Sequence, residues 1–433
     1  MSPVLQVPVE HAAGWLRSAA PLARPVVAAH LADWLRMALP IAQPAVATIC
    51  MSAILYYLYA IYSARKFFGE RSGWTSREGP PISILKPIRG LDVGAYENFA
   101  SFCRQDYPRY ELIFGAEAED EPGLEVARAI ARDFPATDVR IVVNNRSIGT
   151  NRKVSNLANM AAEAKYANLL VSDSDIRVDP SHLHMLARPL EDPEVGVVTC
   201  LYRSKASGTA GWIDALGLST EFQPSVLVAR GLEGMSFAMG SGILVRRGVL
   251  ASIGGFAAFA DYLADDFQLG NRPSQLGYRV ELSPYVVEHR LGTADFHELL
   301  WHQMRWYRGI RSSRPGGYAG LVFTQGVAAA LALVLLAPVS PLAWALAAAT
   351  VGVRLTMAWF VAVRCLQDEA AKRFLWLVPI RDLLSFALWL AAFFGGTIVW
   401  RGERFRLERG GRLVPFGLEL APADDSAPAQ AAR

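Results

Sequence analysis

The hydropathy pattern divides the chain into three kinds of territory. From about Ile41 to Tyr62 no charged residue occurs, and the stretch ends in a tyrosine-rich run that Arg65, Lys66 and Arg71 follow at once. That length crosses a hydrocarbon core, tyrosines suit its boundary, and the basic cluster places this end on the cytoplasmic side. From about Pro80 to Arg314 short apolar runs (Ile82–Leu85, Glu111–Gly115, Val139–Val143, Asn168–Val171) alternate with helically spaced segments such as Tyr96–Cys103 and Gly123–Asp133. Beyond Gly320 the chain turns apolar again, with candidate spans at Leu321–Leu336, Leu342–Val363 and Leu383–Trp400.

Strands alternating with helices predict an α/β domain with a mainly parallel sheet, ligands binding at the strands' C-terminal ends. The expected organisation is an irregular or interfacial lead-in over residues 1–38 and a membrane helix over 39–63. A cytoplasmic catalytic domain over 80–315 follows, then membrane-embedded helices over 320–400 (two or three spans, one re-entrant). A basic cytoplasmic segment over 401–420 and a disordered tail over 421–433 complete it. No cleaved signal peptide is expected. One point conflicts: one span before the domain and three after it place the tail across the membrane, whereas its arginines place it beside the domain. The basic tail is given the greater weight.

Composition sharpens this picture. Of 433 residues 52% are hydrophobic and only 19% charged, which is apolar for a soluble protein and fits a multi-pass membrane protein. A formal charge of +3 gives no reason to expect a nucleic-acid partner. The four cysteines and seven histidines show neither disulfide nor zinc spacing.

The chemistry-bearing residues fall at strand ends. Asp173-Ser174-Asp175 follows the run Asn168–Val171; carboxylates two residues apart there can share a hard divalent cation, which in turn holds a diphosphate, although solvated turn acids look the same. Lys86-Pro87 closes the first strand. Asn151-Arg152-Lys153 and Asn156 precede the central one, where Lys153 either offsets diphosphate charge or is a solvated helix-start lysine. Asp265-Asp266 opens a helix and could merely complement its dipole. His302-Gln303-Met304-Arg305-Trp306 lies on a helix also carrying Trp301, Arg308 and Arg311, a composition that equally suits an interfacial anchor. The apolar stretch from Gly211 to Gly231, broken by Pro224, reads as core or as a membrane-surface segment.

Taken in order, these motifs resemble the ceramide glucosyltransferase family, glycosyltransferase family 21. They are also similar to the bacterial hopanoid-biosynthesis glycosyltransferases. Pro81–Gly90, Arg104-Gln-Asp-Tyr-Pro108, Ser172–Val178 and Phe259–Asp266 carry the likeness. The resemblance implies a GT-A fold and an inverting hexosyl transfer from a UDP-sugar to the hydroxyl of a membrane lipid, either ceramide or a hopanoid. It implies Asp266 as general base and Asp173 and Asp175 as ligands of Mg²⁺ or Mn²⁺. Lys86, Pro87, Lys153, Asp173, Arg305 and Trp306 would bind the donor, and His302 and Trp306 the acceptor. Two departures stand out: His302 replaces the usual Gln or Arg, and Ala118, flanked by Glu117 and Glu119, stands where the family has an aspartate. A processive polysaccharide synthase and an inactive lipid-binding scaffold are the rival readings.

Overall fold

Runs that read as continuously apolar become strands covered on both sides. The structure, a computed structural model, describes residues 9–69, 79–292, 295–400 and 402–416. Its main sheet comprises β1 (Ile82–Pro87), β2 (Tyr110–Ala116), β3 (Asp138–Val143), β4 (Asn168–Val171), β5 (Ile176–Arg177), β6 (Val195–Lys205), β7 (Ile243–Arg246) and β8 (Arg279–Arg290). The order is β3-β2-β1-β4-β7-β6-β8-β5. β7 and β5 pair antiparallel to their neighbours, while the remaining pairings are parallel. The expected mainly parallel α/β sheet is therefore present.

Alternation along each strand feeds two cores. Ile82, Ile84, Leu112, Phe114 and Leu170 face one side with Phe99 and Phe102. Leu85, Ile113, Leu169 and Val171 face the other, against Val154, Leu157 and Met160 of the Arg152–Glu163 helix. The first core also takes in Tyr57, Ala60, Ala64 and Phe67 of the N-terminal helix, so that helix and the sheet share one interior.

That N-terminal helix runs from Val9 to Gly69, so residues 9–38, expected as an irregular lead-in, continue it; their alanine and leucine content favours helix. Among the described residues three helical stretches are long and apolar enough to cross a membrane: Leu39–Gly69, Pro341–Cys365 and Glu369–Ala391. A fourth candidate is the pair Pro315–Thr324 and Gly326–Leu336, bent by 54°. The expected span Leu383–Trp400 is corrected. Its helix ends at Ala391, Gly395 adopts φ 79°, and the β-branched run Thr397–Trp400 forms a strand, β9. The segment read only as a basic tail continues this sheet, with β10 (Glu403–Leu407) pairing antiparallel to β9 and to β11 (Leu413–Pro415). The tail over 421–433 lies outside the described residues.

Candidate active site

The acid triplet occupies the turn between β4 and β5, at the C-terminal edge of the sheet, where parallel-sheet proteins bind ligands. The Ser172 amide donates to the Leu85 carbonyl at 3.1 Å, extending the β1–β4 ladder to the triplet. Below it lies Lys86, fully buried, whose ammonium donates to the Asp173 carbonyl at 2.6 Å and stands 4.0 Å from the Phe102 ring centre. Burial drives its pKa down to about 7, against the pull of Asp175 and Asp173. Lys86 thus supports the triplet from inside the protein, and Pro87 is buried at the end of β1. Both were expected to bind the donor; here their side chains are buried at the end of β1.

Lys153 does reach the cleft. Asn151 caps its helix by accepting from the Val154 amide, and Lys153 Nζ then lies 2.6 Å from Asp173 Oδ1 and 3.4 Å from Asp265 Oδ2. Burial opposes its charge, but Asp173 and Asp265 outweigh it and hold the ammonium protonated above the ordinary lysine range. Burial raises the Asp173 pKa. Asp175 is desolvated too, yet His289, whose Nε2 lies 3.1 Å from Asp175 Oδ2, keeps its carboxyl below the usual range. His289 is steadied in turn by Ser204, 3.0 Å from its Nδ1. Asp175 Oδ1 is buried without a hydrogen-bond partner.

Asp265 and Asp266 open the Asp265–Gln275 helix on the far wall. Asp266 Oδ1 accepts from the Phe267 amide at 2.8 Å and Oδ2 from the Gly240 amide at 3.1 Å. Burial, and then the neighbouring Asp265, pushes Asp266 up to about 6. A Cβ on Gly240 would stand 3.3 Å from Asp173 Oδ2 and 3.5 Å from Asp266 Oδ2, so the missing side chain leaves these two carboxylates facing across one narrow gap.

The third wall is the Phe296–Ser313 helix. Trp306 packs its ring against Phe222 at 5.8 Å and against His302 at 5.2 Å. His302 Nδ1 lies 3.6 Å from Asp214 Oδ2, and Gln303 donates to the other Asp214 oxygen. Gln303 also accepts from Arg381 at 3.1 Å. Arg305, half-buried, shares this helix with Trp306.

Other expectations shift. The amide of Asn151 donates to the Tyr262 carbonyl, and that of Asn156 ties its helix to β2 through the Gly115 carbonyl. Beside Ala118, Glu117 pairs with Arg152 at 3.1 Å near the cleft, while Glu119 turns away onto Arg128. His289, Gly240 and Asp214 went unread in the sequence. His289 lies 114 residues from its aspartate, and no local pattern joins the two.

Comparison with known proteins identifies the family. The model of glycosyl transferase family 21 matches residues 45–413. Ceramide glucosyltransferase 3 of Caenorhabditis elegans is 24% identical over 354 residues, 78% of this chain and 74% of that protein. The ceramide glucosyltransferase of Komagataella phaffii is 32% identical over a shorter stretch of 142 residues, 30% of this chain and 28% of that one. Among solved structures, mannosyltransferase PcManGT from Pyrobaculum calidifontis, in complex with GDP-Man and Mn²⁺, aligns with a TM-score of 0.50 at 18% identity. It covers 81% of this chain and 98% of its own, a likeness of fold. Because the family model spans the apolar helices, the whole sheet, the acid cluster and the C-terminal strands, the chain belongs to glycosyl transferase family 21.

Proposed function

We propose that this glycosyltransferase moves a hexose from a UDP-linked sugar to a hydroxyl of ceramide, with inversion at the anomeric carbon. The observation that carries the reading is the opposition of Asp266 and Asp173 across Gly240. One carboxylate is poised to hold a leaving diphosphate through a cation, and the other to take a proton from an attacking hydroxyl. A base titrating at about 6 is ionised at neutral pH yet more basic than an exposed aspartate. The acceptor oxygen attacks the anomeric carbon, its proton passes to Asp266, and the bond from that carbon to the diphosphate breaks with its electron pair leaving on UDP.

Asp173 and the unpartnered Oδ1 of Asp175 offer the all-oxygen ligands that Mg²⁺ or Mn²⁺ takes, the remaining positions falling to phosphate oxygens and water. Such an ion would neutralise charge developing on the diphosphate. Lys153 adds a fixed positive charge beside it, and Arg305 is the guanidinium on the facing helix suited to phosphate oxygens. Trp306 and His302 offer an aromatic wall to sugar or acceptor.

The membrane segments support a lipid acceptor. The bent pair runs antiparallel to the N-terminal helix: Tyr57 donates to the Thr324 carbonyl, and Gln43 to that of Leu336. Pro341–Cys365 returns, carrying Arg354 to Tyr57. The last candidate, Glu369–Ala391, is held to the catalytic domain through Trp212 on Phe374, Arg381 on the Ile213 carbonyl and Ser385 on Glu221. In this reading it lies along the membrane surface. Three crossings then leave the catalytic domain and the tail together on the cytoplasmic face. This removes the conflict between span count and basic tail.

The test is transfer by the full-length protein in lipid nanodiscs with UDP-glucose and UDP-N-acetylglucosamine, offering ceramide and a hopanoid alcohol in turn. Turnover on ceramide supports the proposal. Turnover on the hopanoid alone moves the acceptor assignment, and turnover on neither overturns it. Asp266→Asn should abolish transfer while the protein stays folded.

A further inference from the structure

The C-terminal sheet touches the catalytic machinery in a way that a membrane-surface tail does not require. Its core is Ile398, Phe405, Leu407 and Leu413, with Leu263 of the loop before Asp266 packed against it. Two backbone hydrogen bonds fasten that loop: the Leu263 amide donates to the Gly411 carbonyl at 3.0 Å, and the Leu413 amide to the Asp261 carbonyl at 2.7 Å. Arg412 adds an ion pair to Asp261 Oδ2 at 3.5 Å, while Asp261 Oδ1 accepts from both the amide and the hydroxyl of Thr150 at 2.9 Å. Asp261 therefore joins the C-terminal sheet to the turn that presents Lys153.

The same sheet grips the helix bearing His302, Arg305 and Trp306. The Gly410 amide donates to the Ser312 carbonyl at 2.9 Å. Arg311 reaches the Phe393 and Gly395 carbonyls, both at 2.6 Å, and Arg308 the Thr397 carbonyl. Gly410 and Gly411 take φ of 83° and 86°, a left-handed turn that residues with a Cβ adopt poorly, and a Cβ on Gly411 would stand 2.8 Å from Ser313 Oγ. The arginines that read in sequence as interfacial anchors are thus bound to carbonyls of the segment leading into β9.

We infer that the sheet β9–β11 is a strap that positions the Asp265–Asp266 loop against the Phe296–Ser313 helix, with Arg412 and Asp261 as positioning residues. The inference rests on the reading of Asp266 as base and adds what holds it in register. Without the strap the Leu263 amide and the Asp261 carbonyl lose their partners, and Asp266, three residues beyond Leu263, loses its fixed distance from the donor. Misplacement of a reacting group by about 1 Å costs on the order of 100-fold in rate.

The experiment uses full-length protein in nanodiscs, with Arg412→Ala, Arg412→Lys, Asp261→Asn and Leu413→Pro, the last removing one amide donor. Turnover, the KM for the donor, thermal unfolding and amide hydrogen exchange at Leu263 are measured. The expected result is a kcat lowered about 10- to 100-fold with little change in donor KM. Exchange at Leu263 should quicken at unaltered melting temperature, and Arg412→Lys should recover most of the loss. Unchanged kcat with unchanged exchange in Arg412→Ala overturns the inference, as does a KM that rises in step with the loss. Should Leu413→Pro not fold, Arg412→Ala and Asp261→Asn decide alone. Asp266→Asn run in parallel separates the two claims: if it keeps turnover the base assignment falls, while exchange at Leu263 still judges the strap.

Discussion

Replacing Lys86 with methionine should make the protein more stable and less active. The lysine titrates at 10.5 in an unfolded chain and at about 7 in its buried place. Its folded pKa is depressed, so the penalty is absent above pH 10.5, grows as the pH falls towards 7, and is constant below that. At about 1.4 kcal/mol per pH unit it amounts to roughly 4 kcal/mol at pH 7. Against this, the change removes the hydrogen bond to the Asp173 carbonyl and leaves that oxygen buried, a loss of about 1–3 kcal/mol. Methionine is of similar length and suits the contact with Phe102. The balance is a gain of roughly 1–3 kcal/mol at pH 7 that shrinks as the pH rises and becomes a loss of about 1–3 kcal/mol above pH 10.5, where only the lost hydrogen bond remains. Turnover should fall about 10- to 100-fold because Asp173 is no longer held from below. Denaturant unfolding at both pH values, beside a transfer assay, checks this. A less stable variant at pH 7, a gain equal at both pH values, or full activity would refute the reasoning.

Further expectations concern the same framework. The pH profile of kcat/KM should show an acid limb near pH 6, falling about tenfold per unit below it, because Asp266 must be ionised to accept a proton; Asp266→Asn should erase residual activity at every pH. Asp175→Asn should raise the Mn²⁺ concentration needed for half-maximal turnover by about tenfold or more, read by metal titration after chelation. The buried Arg354–Asp382 pair, 2.7 Å apart, predicts that Arg354→Leu costs about 3–5 kcal/mol in unfolding, whereas adding Asp382→Leu recovers most of it. Gly217→Ala should lower the melting temperature, since its Cβ would lie within 2.6 Å of three atoms of the Arg381 guanidinium, which Gln303 also engages.

Of the eight strands in the main sheet, β1 to β4 were legible in the sequence. Ile82–Leu85 and Asn168–Val171 had to be buried on both faces, and acids placed directly after such runs fall at the sheet's ligand-binding edge. It also determined that apolar segments flank the domain, because the length of an uncharged run is a local property. What it left open depends on contacts between distant residues. Lys86 reads as a strand-end lysine, and only the pairing of β1 with β4 turns its ammonium under Asp173. His289 and Asp175 meet because β5 pairs with β8, where Ile176 stands opposite His289. Glu369–Ala391 has the hydropathy of a span, yet Arg381 within it donates to the Ile213 carbonyl of the catalytic domain, a contact that hydropathy does not report. The basic tail looked like a charged end because strands of a few residues carry little pattern. Only packing on Leu263 reveals it as a sheet beside the proposed base. Local pattern encodes which face of an element is buried, whereas the distances on which a carboxylate's chemistry depends are set by elements far apart in the chain.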